Sequence, residues 1–145
     1  MNENCSSLTS IAMKFTALSG FDVIEDELSS SGTAMLSNGK VDIRIVNDLR
    51  VNVVECSIGL TKNRGRTDYQ YAVEKAVDFC GGDSEITDID IEDHISIDEQ
   101  IDMYFNLLED SCSEILTGEE RRYESLHEFS RGYDAGYTIG VNDMQ

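Results

Sequence analysis

Oxygen-bearing side chains recur in an acidic stretch near the middle of the chain. If Asp88 is position one of a twelve-residue loop, Asp90 falls at three, Glu92 at five, Ser96 at nine and Glu99 at twelve. Loops with this spacing wrap calcium in oxygen ligands and end in a bidentate glutamate. The spacing therefore raises the hypothesis of a calcium site.

The same stretch also fits a β-strand, and two features favour the strand. Position six is Asp93, where the sharp turn of a calcium loop requires glycine. Residues 85–93 alternate Ile with acids, which is typical of a strand with one buried and one wet face. The sequence therefore predicts an acidic strand without a metal, with calcium as the alternative.

A helix is predicted directly after this strand. Ser96 and Glu99 have the spacing of a capping box, and the apolar residues that follow recur at helical spacing over residues 97–116. The carboxylates of this helix are predicted to point mostly outward. With the strand acids they form one predicted acidic surface: Asp88, Asp90, Glu92, Asp98, Asp102, Glu109 and Asp110.

Two further acids lie on predicted strands, Asp42 in "KVDIRIV" and Glu55 in "VVECSIG". The order helix, strand, strand with Asp, strand with Glu, helix, strand over residues 8–92 resembles the core of the PD-(D/E)XK nuclease family. The resemblance implies that Asp42 and Glu55 hold magnesium and that a Lys two residues after the Glu positions the attacking water. That position is Ser57, so Lys62 is the nearest replacement. This departure predicts an inactive descendant rather than a working nuclease.

A basic loop, "TKNRGRTD", carries Lys62, Arg64 and Arg66 on alternate residues. Three interpretations are open for this loop. The side chains bind a phosphate or an acidic partner, they pair with the protein's own acidic half, or they are only solvated.

Glycines recur every four residues near the C-terminus, at Gly132, Gly136 and Gly140, with Tyr133 and Tyr137 beside them. On a helix, this pattern forms a flat stripe that lets another backbone approach closely. The stripe either packs within the monomer or mediates self-association or partner docking through the tyrosines.

Charge divides the chain into two unequal parts. Residues 1–82 carry 8 basic and 11 acidic side chains, whereas residues 83–145 carry 3 basic and 18 acidic ones. Residues 83–120 contain 14 acids and no Lys or Arg. Such a field attracts cationic surfaces, and it argues against direct binding of nucleic acid by the acidic half.

The cysteines indicate the compartment. Cys5, Cys56, Cys80 and Cys112 form no C-x-x-C pair, and "MNENCSSLTS" lacks the features of a signal peptide. We therefore expect reduced thiols and a cytoplasmic protein. Apolar runs are too short for a membrane span.

The remaining pattern predicts one α+β domain over residues 1–145. Residues 1–82 form a near-neutral helix, meander and helix part, and residues 83–145 form a strongly acidic, mainly helical part. The predicted elements are a helix over 7–20, an antiparallel meander near 21–58 with a hairpin at Asn38-Gly39, a helix from Thr67 or Asp68 to Gly81-Gly82, and a last helix from near Glu119.

These expectations favour a binding protein over an enzyme. A small acidic domain without a convincing catalytic set is expected to occupy a basic surface of a nucleic-acid-handling protein, as an inhibitor that mimics nucleic acid. Small phage-encoded inhibitors of host defence enzymes are similar in charge and size. The alternatives are a PD-(D/E)XK-like nuclease, with magnesium, and an assembly subunit that oligomerises through the C-terminal glycine and tyrosine stripe.

Overall fold

Within the residues that the structure describes, a five-stranded antiparallel sheet and three helices form the fold. The structure is a computed structural model that describes residues 12–28, 30–48, 50, 53–82 and 96–143, with residues 133–143 described by their backbone alone. The strands, adjacent in chain order, are β1 (Asp22–Glu27), β2 (Thr33–Ser37), β3 (Val41–Asp48), β4 (Val53–Leu60) and β5 (Tyr71–Ala72). The helices are α1 (Val73–Phe79), α2 (Ile97–Ser111) and α3 (Glu120–Asp143). The predicted α+β class with a helical C-terminal part is confirmed.

The predicted hairpin at Asn38-Gly39 joins β2 to β3. Asn38 Oδ1 accepts hydrogen bonds from the backbone N–H groups of Lys40 (2.9 Å) and Val41 (2.8 Å). Gly39 has a φ of +88°, a conformation that glycine adopts without strain. Asn38 Nδ2 donates to the carbonyl of Leu116 at 3.0 Å, so the same side chain ties the hairpin to the segment before α3.

One face of the sheet forms the core with α2. Ile43, Ile45 and Ile58 are fully buried on the strands, and α2 buries Ile101, Phe105 and other residues along one side. Aliphatic and aromatic burial of this kind supplies most of the stability of a small domain.

Two side chains of α2 also satisfy the backbone of β4. β5 pairs with β4 only at Ser57 and Ile58, so the start of β4 has no strand neighbour on that side among the described residues. There the N–H of Val54 donates to Gln100 Oε1 at 2.8 Å, and the hydroxyl of Tyr104 donates to the carbonyl of Val54 at 3.0 Å. Gln100 and Tyr104 are one helical turn apart and both buried, so α2 covers an edge that would otherwise bury unpaired backbone groups.

Two predicted helices are wrong in their extent. The helix expected over 7–20 does not run to Gly20, because Phe15 is extended (φ −110°, ψ 119°) and a short 3-10 turn follows at Thr16–Leu18. Extension lets the ring of Phe15 pack edge-on against Phe105 at 5.7 Å. The helix expected from Thr67 or Asp68 begins only at Val73, because the residues before it pair as β5 with β4.

The helix expected over 97–116 ends at Ser111, and the chain continues through a 3-10 turn at Ile115–Thr117. Gly118, with a φ of +82°, follows that turn. The last helix begins at Glu120, close to the predicted position. The strand predicted over 85–93 lies outside the described residues. None of the helices that the structure describes is long and apolar enough to cross a membrane.

The predicted capping box at the start of α2 is present. Ser96 Oγ accepts from the N–H of Glu99 at 3.1 Å, and Glu99 Oε1 accepts from the N–H of Ser96 at 3.4 Å. Both bonds satisfy N–H groups that have no partner inside the helix.

We expect Ser96→Ala to lower the free energy of unfolding by about 1 kcal/mol, because the helix loses its N-cap acceptor. Urea denaturation followed by circular dichroism measures the change. Ser96→Asp keeps an acceptor and is the matched control, with stability close to wild type. Equal losses in both variants would show that the cap does not stabilise α2.

Candidate functional site

The nuclease resemblance implies that Asp42 is a metal ligand, but in the structure its carboxylate pairs with Arg64 of the basic loop. Its carboxylate accepts hydrogen bonds from Arg64 Nε (2.6 Å) and Nη2 (2.8 Å) and from Thr61 Oγ1 (2.8 Å). The residue is 2% exposed. Burial alone would raise the pKa of Asp42, but hydrogen bonds from Arg64, Ser37 and Thr61 and the charge of Arg64 hold it below its usual value. Asp42 therefore acts as the anchor of the loop.

Glu55 and Lys62 lie apart from Asp42. Asp42 pairs across the strands with Gly59, whereas Glu55 pairs with Val46. This register separates the two acids by four strand positions, or about 13 Å along the sheet. Lys62 forms an ion pair with Glu120 at the start of α3. The three residues do not form a common magnesium pocket.

Among the described residues, no group of three or more His, Cys, Asp or Glu side chains is arranged to hold a metal ion. Glu99, the last position of the proposed calcium loop, serves instead in the capping box of α2. Asp88, Asp90 and Glu92 lie outside the described residues.

All three basic side chains of the loop contact the protein itself. Lys62 pairs with Glu120, Arg64 pairs with Asp42, and the guanidinium of Arg66 lies 4.5 Å from the ring centre of Tyr69. Of the three interpretations of this loop, pairing with the acidic half holds for Lys62.

Beside this loop lies an open cleft of about 480 Å³. Tyr69 stacks on His127 with ring centres 4.7 Å apart, and the hydroxyl of Tyr71 lies 2.7 Å from His127 Nδ1. Burial, and then the nearby Tyr69, raise the pKa of Tyr71 to about 12, so Tyr71 stays a neutral phenol at neutral pH. The cleft has Lys62 and Arg66 on its loop side, and its helix side carries Glu120, Glu124 and Glu128. Such walls suit hydrogen bonding to a polar ligand.

Sequence reasoning missed this cluster. His127 lies 56 positions after Tyr71 in the chain. No spacing rule connects a loop, a two-residue strand and the middle of a helix. Only the alternation of Tyr69 and Tyr71 before α1 hinted at extended backbone there.

The acidic side of α2 contains the remaining predicted partner-binding residues. Asp110 is exposed, and Asp98 and Asp102 are half-buried at the margin of the packed face. Glu109 accepts hydrogen bonds from Thr16, through its N–H at 2.9 Å and its hydroxyl at 2.8 Å. These two bonds attach the segment before β1 to α2, and neither donor brings a positive charge to Glu109.

The edge strand β1 adds acids that the sequence interpretation did not single out. Asp22, Glu25 and Glu27 are exposed, and the pairing with β2 is irregular between Val23 and Glu25. Charges and a bulge on an edge strand discourage pairing with a strand of another molecule. Exposed acids therefore occur on the sheet as well as on α2.

The C-terminal stripe is only partly described. Gly132, Gly136, Tyr133 and Tyr137 all lie within α3, but the last three fall where the structure describes the backbone alone. Gly132 is exposed, and a Cβ built there would meet no atom within 4 Å. Gly132 thus marks no close contact within the described chain, and docking through this stripe stays a prediction.

The chain was compared with protein-family models, curated proteins and solved structures, and no match was found. Function is therefore inferred from geometry and charge.

We expect Asp42→Asn to lower the free energy of unfolding by about 1–3 kcal/mol, because a buried charge-assisted hydrogen-bond set is broken. Glu55→Gln, on an exposed side chain of the next strand, is the control and should change stability little. Urea denaturation of both variants makes the comparison, and a smaller loss for Asp42→Asn than for Glu55→Gln would contradict the anchoring role.

The same ion pair predicts a pH dependence. The pKa of Asp42 is lowered in the folded state, so its contribution is complete above the pKa of an unfolded Asp, about 3.9, and is lost as the pH falls through the folded pKa. The stability difference between wild type and Asp42→Asn should therefore shrink on acidification. A difference that stays constant down to strongly acidic pH would argue against the ionised Asp42.

Proposed function

We propose that this protein is a non-enzymatic acidic binding protein that occupies a basic surface of a nucleic-acid-handling protein, as a phosphate mimic does. The observation that carries the proposal is the charge of α2. This helix carries five carboxylates and no base: Asp98, Glu99, Asp102, Glu109 and Asp110. Among the described residues, Lys14 pairs with one of them, its Nζ lying 3.9 Å from Asp102 Oδ1.

Rigidity supports a binding role for this surface. The opposite side of α2 is buried in the core, and Gln100 and Tyr104 fix the helix to Val54. Charges on a fixed helix lose little conformational freedom when a partner binds, so less of the interaction energy is spent on ordering.

The excess of acidic over basic side chains also supports a cationic partner. Every one of the 11 basic side chains belongs to the described residues, and several are already engaged with carboxylates of the chain: Lys14, Arg50, Lys62, Arg64 and Arg122. The 29 acids therefore far exceed the cations available to neutralise them. The resulting field steers cationic partners and raises the rate of encounter.

A pull-down with the immobilised protein tests the proposal. We expect a basic nucleic-acid-binding protein to be captured at low salt, released at high salt and displaced by duplex DNA, because the acids and the DNA phosphates compete for one surface. With that captured protein, the variant Asp98→Asn, Asp102→Asn, Asp110→Asn should show an on-rate lower by on the order of tenfold at low salt.

A second triple variant is the matched control. Glu25→Gln, Glu27→Gln, Glu55→Gln removes the same number of charges from the sheet, so it separates the α2 surface from net charge alone. Circular dichroism should show both variants folded. Equal on-rates for wild type and the α2 variant, or capture that DNA does not displace, would refute the proposal.

A further inference from the structure

We propose that Cys80 and Cys112 form a reversible intramolecular disulfide when the protein meets a small-molecule disulfide such as oxidised glutathione. This thiol pair is a modification site separate from the acidic surface, and it does not depend on the proposed function.

The ends of two helices bring these cysteines together. Cys80 is the C-cap of α1 and Cys112 is the C-cap of α2, and the two thiols are close enough for each to shift the pKa of the other. The residues beside them also touch, because a methyl group added at Gly82 would collide with the side chain of Ser111. The two helix ends therefore lie side by side, which is the placement that a disulfide between them requires.

The two thiols differ in exposure. Cys112 is fully buried, whereas Cys80 is partly exposed. Burial raises the pKa of both thiols. For Cys80, the contact with Cys112 and the charge of Arg122 lower the pKa and the charge of Glu114 raises it, so burial still leaves it above the usual value of a thiol. Cys80 is therefore the thiol that a dissolved disulfide reaches first, and Cys112 is the resolving thiol behind it.

Arg122 is placed to assist Cys80. Its guanidinium lies 5.2 Å from the ring centre of Phe79, the residue before Cys80, and its Nη2 is 3.3 Å from the carboxylate of Glu114. Its buried Nε has no hydrogen-bond partner among the described residues. A thiolate at Cys80 would offer an acceptor and a negative charge beside this donor, so Arg122 is a positioning residue for the reaction.

The reaction proceeds by two thiol–disulfide exchanges. Cys80 loses its proton to solvent, its thiolate attacks one sulfur of oxidised glutathione, and one glutathione thiolate leaves. Cys112 then loses its proton, attacks the Cys80 sulfur and releases the second glutathione thiolate. The protein is oxidised by two electrons and loses two hydrogens, while one oxidised glutathione is reduced to two glutathione molecules.

Cys56 provides an internal control. It is buried on β4, and burial followed by the charge of Glu74 raises its pKa. No thiol contact is recorded for it within the described ranges. Cys5 lies outside the described residues, so the experiment uses the full chain with Cys5→Ser.

Oxidised glutathione is added to this protein, and intact mass and peptide mapping are recorded over time. We expect the loss of two hydrogens, no lasting glutathione adduct, a Cys80–Cys112 cross-linked peptide, and reversal by dithiothreitol. Cys56→Ala should behave alike. Cys112→Ser should instead accumulate a glutathione adduct on Cys80, and Cys80→Ser should form neither product.

The rate tests Arg122. In Arg122→Gln, oxidation near neutral pH should be roughly tenfold slower and should approach the wild-type rate as the pH rises, because a higher thiol pKa lowers the thiolate fraction. Arg122→Lys should restore much of the rate, which a purely structural role would not predict.

Three results would overturn the proposal: thiols that stay reduced in excess oxidised glutathione under mildly alkaline conditions, a stable adduct on Cys80 of the parent protein, or a cross-link that includes Cys56. The Cys5→Ser protein alone decides the test, because it carries no substitution in the core. The test therefore stands even if the Cys112→Ser variant does not fold.

Discussion

The backbone of Val54 is the point on which the arrangement of this protein depends. Its N–H and carbonyl face away from β3, where β5 is too short to reach, and both are bonded by side chains of α2. Buried backbone groups without partners destabilise the fold. Moving Gln100 or Tyr104 away from Val54 would therefore cost roughly 1–3 kcal/mol for each backbone group left unpaired. This requirement fixes the rotation of α2 about its own axis.

Once α2 is fixed in rotation, its other properties follow. The apolar residues face the sheet, the carboxylates face outward or along the margin, and Cys112 at its end comes to lie beside Cys80. The hydroxyl of Tyr104 also lies 3.2 Å from the carboxylate of Glu74 in α1, so the same contact links the two helices. The repulsion among the carboxylates of α2 is offset by burial on its opposite side, which is how a helix without a single base remains part of a folded domain.

Rules of local sequence spacing correctly predicted the elements that depend on neighbouring residues. The Asn38-Gly39 hairpin and the Ser96–Glu99 capping box each depend on residues within a few positions of one another, and both are present. Long-range contacts overrode local rules elsewhere. The residues before Val73 pair as β5 with β4 although helical spacing favoured a helix there.

The sequence indicated which charged residues belong to the candidate site, but not which residues they pair with. The acids of α2 and the bases of the loop are evident in the sequence, yet the pairing of Arg64 with Asp42 depends on a sheet register that spans 22 positions. Gln100 shows the same limit, since polarity assigns a glutamine to the surface, whereas the free backbone of Val54 draws it into the core.

The central claim is that α2 presents a fixed acidic surface that selects cationic partners. An NMR titration of the isotope-labelled protein with a short oligolysine peptide tests it most directly, since each backbone amide reports separately. The account predicts saturable shifts centred on Asp98, Asp102 and Asp110 that added salt suppresses, with smaller shifts at the exposed acids of β1. Shifts centred on β1 or spread evenly over all exposed carboxylates would contradict it.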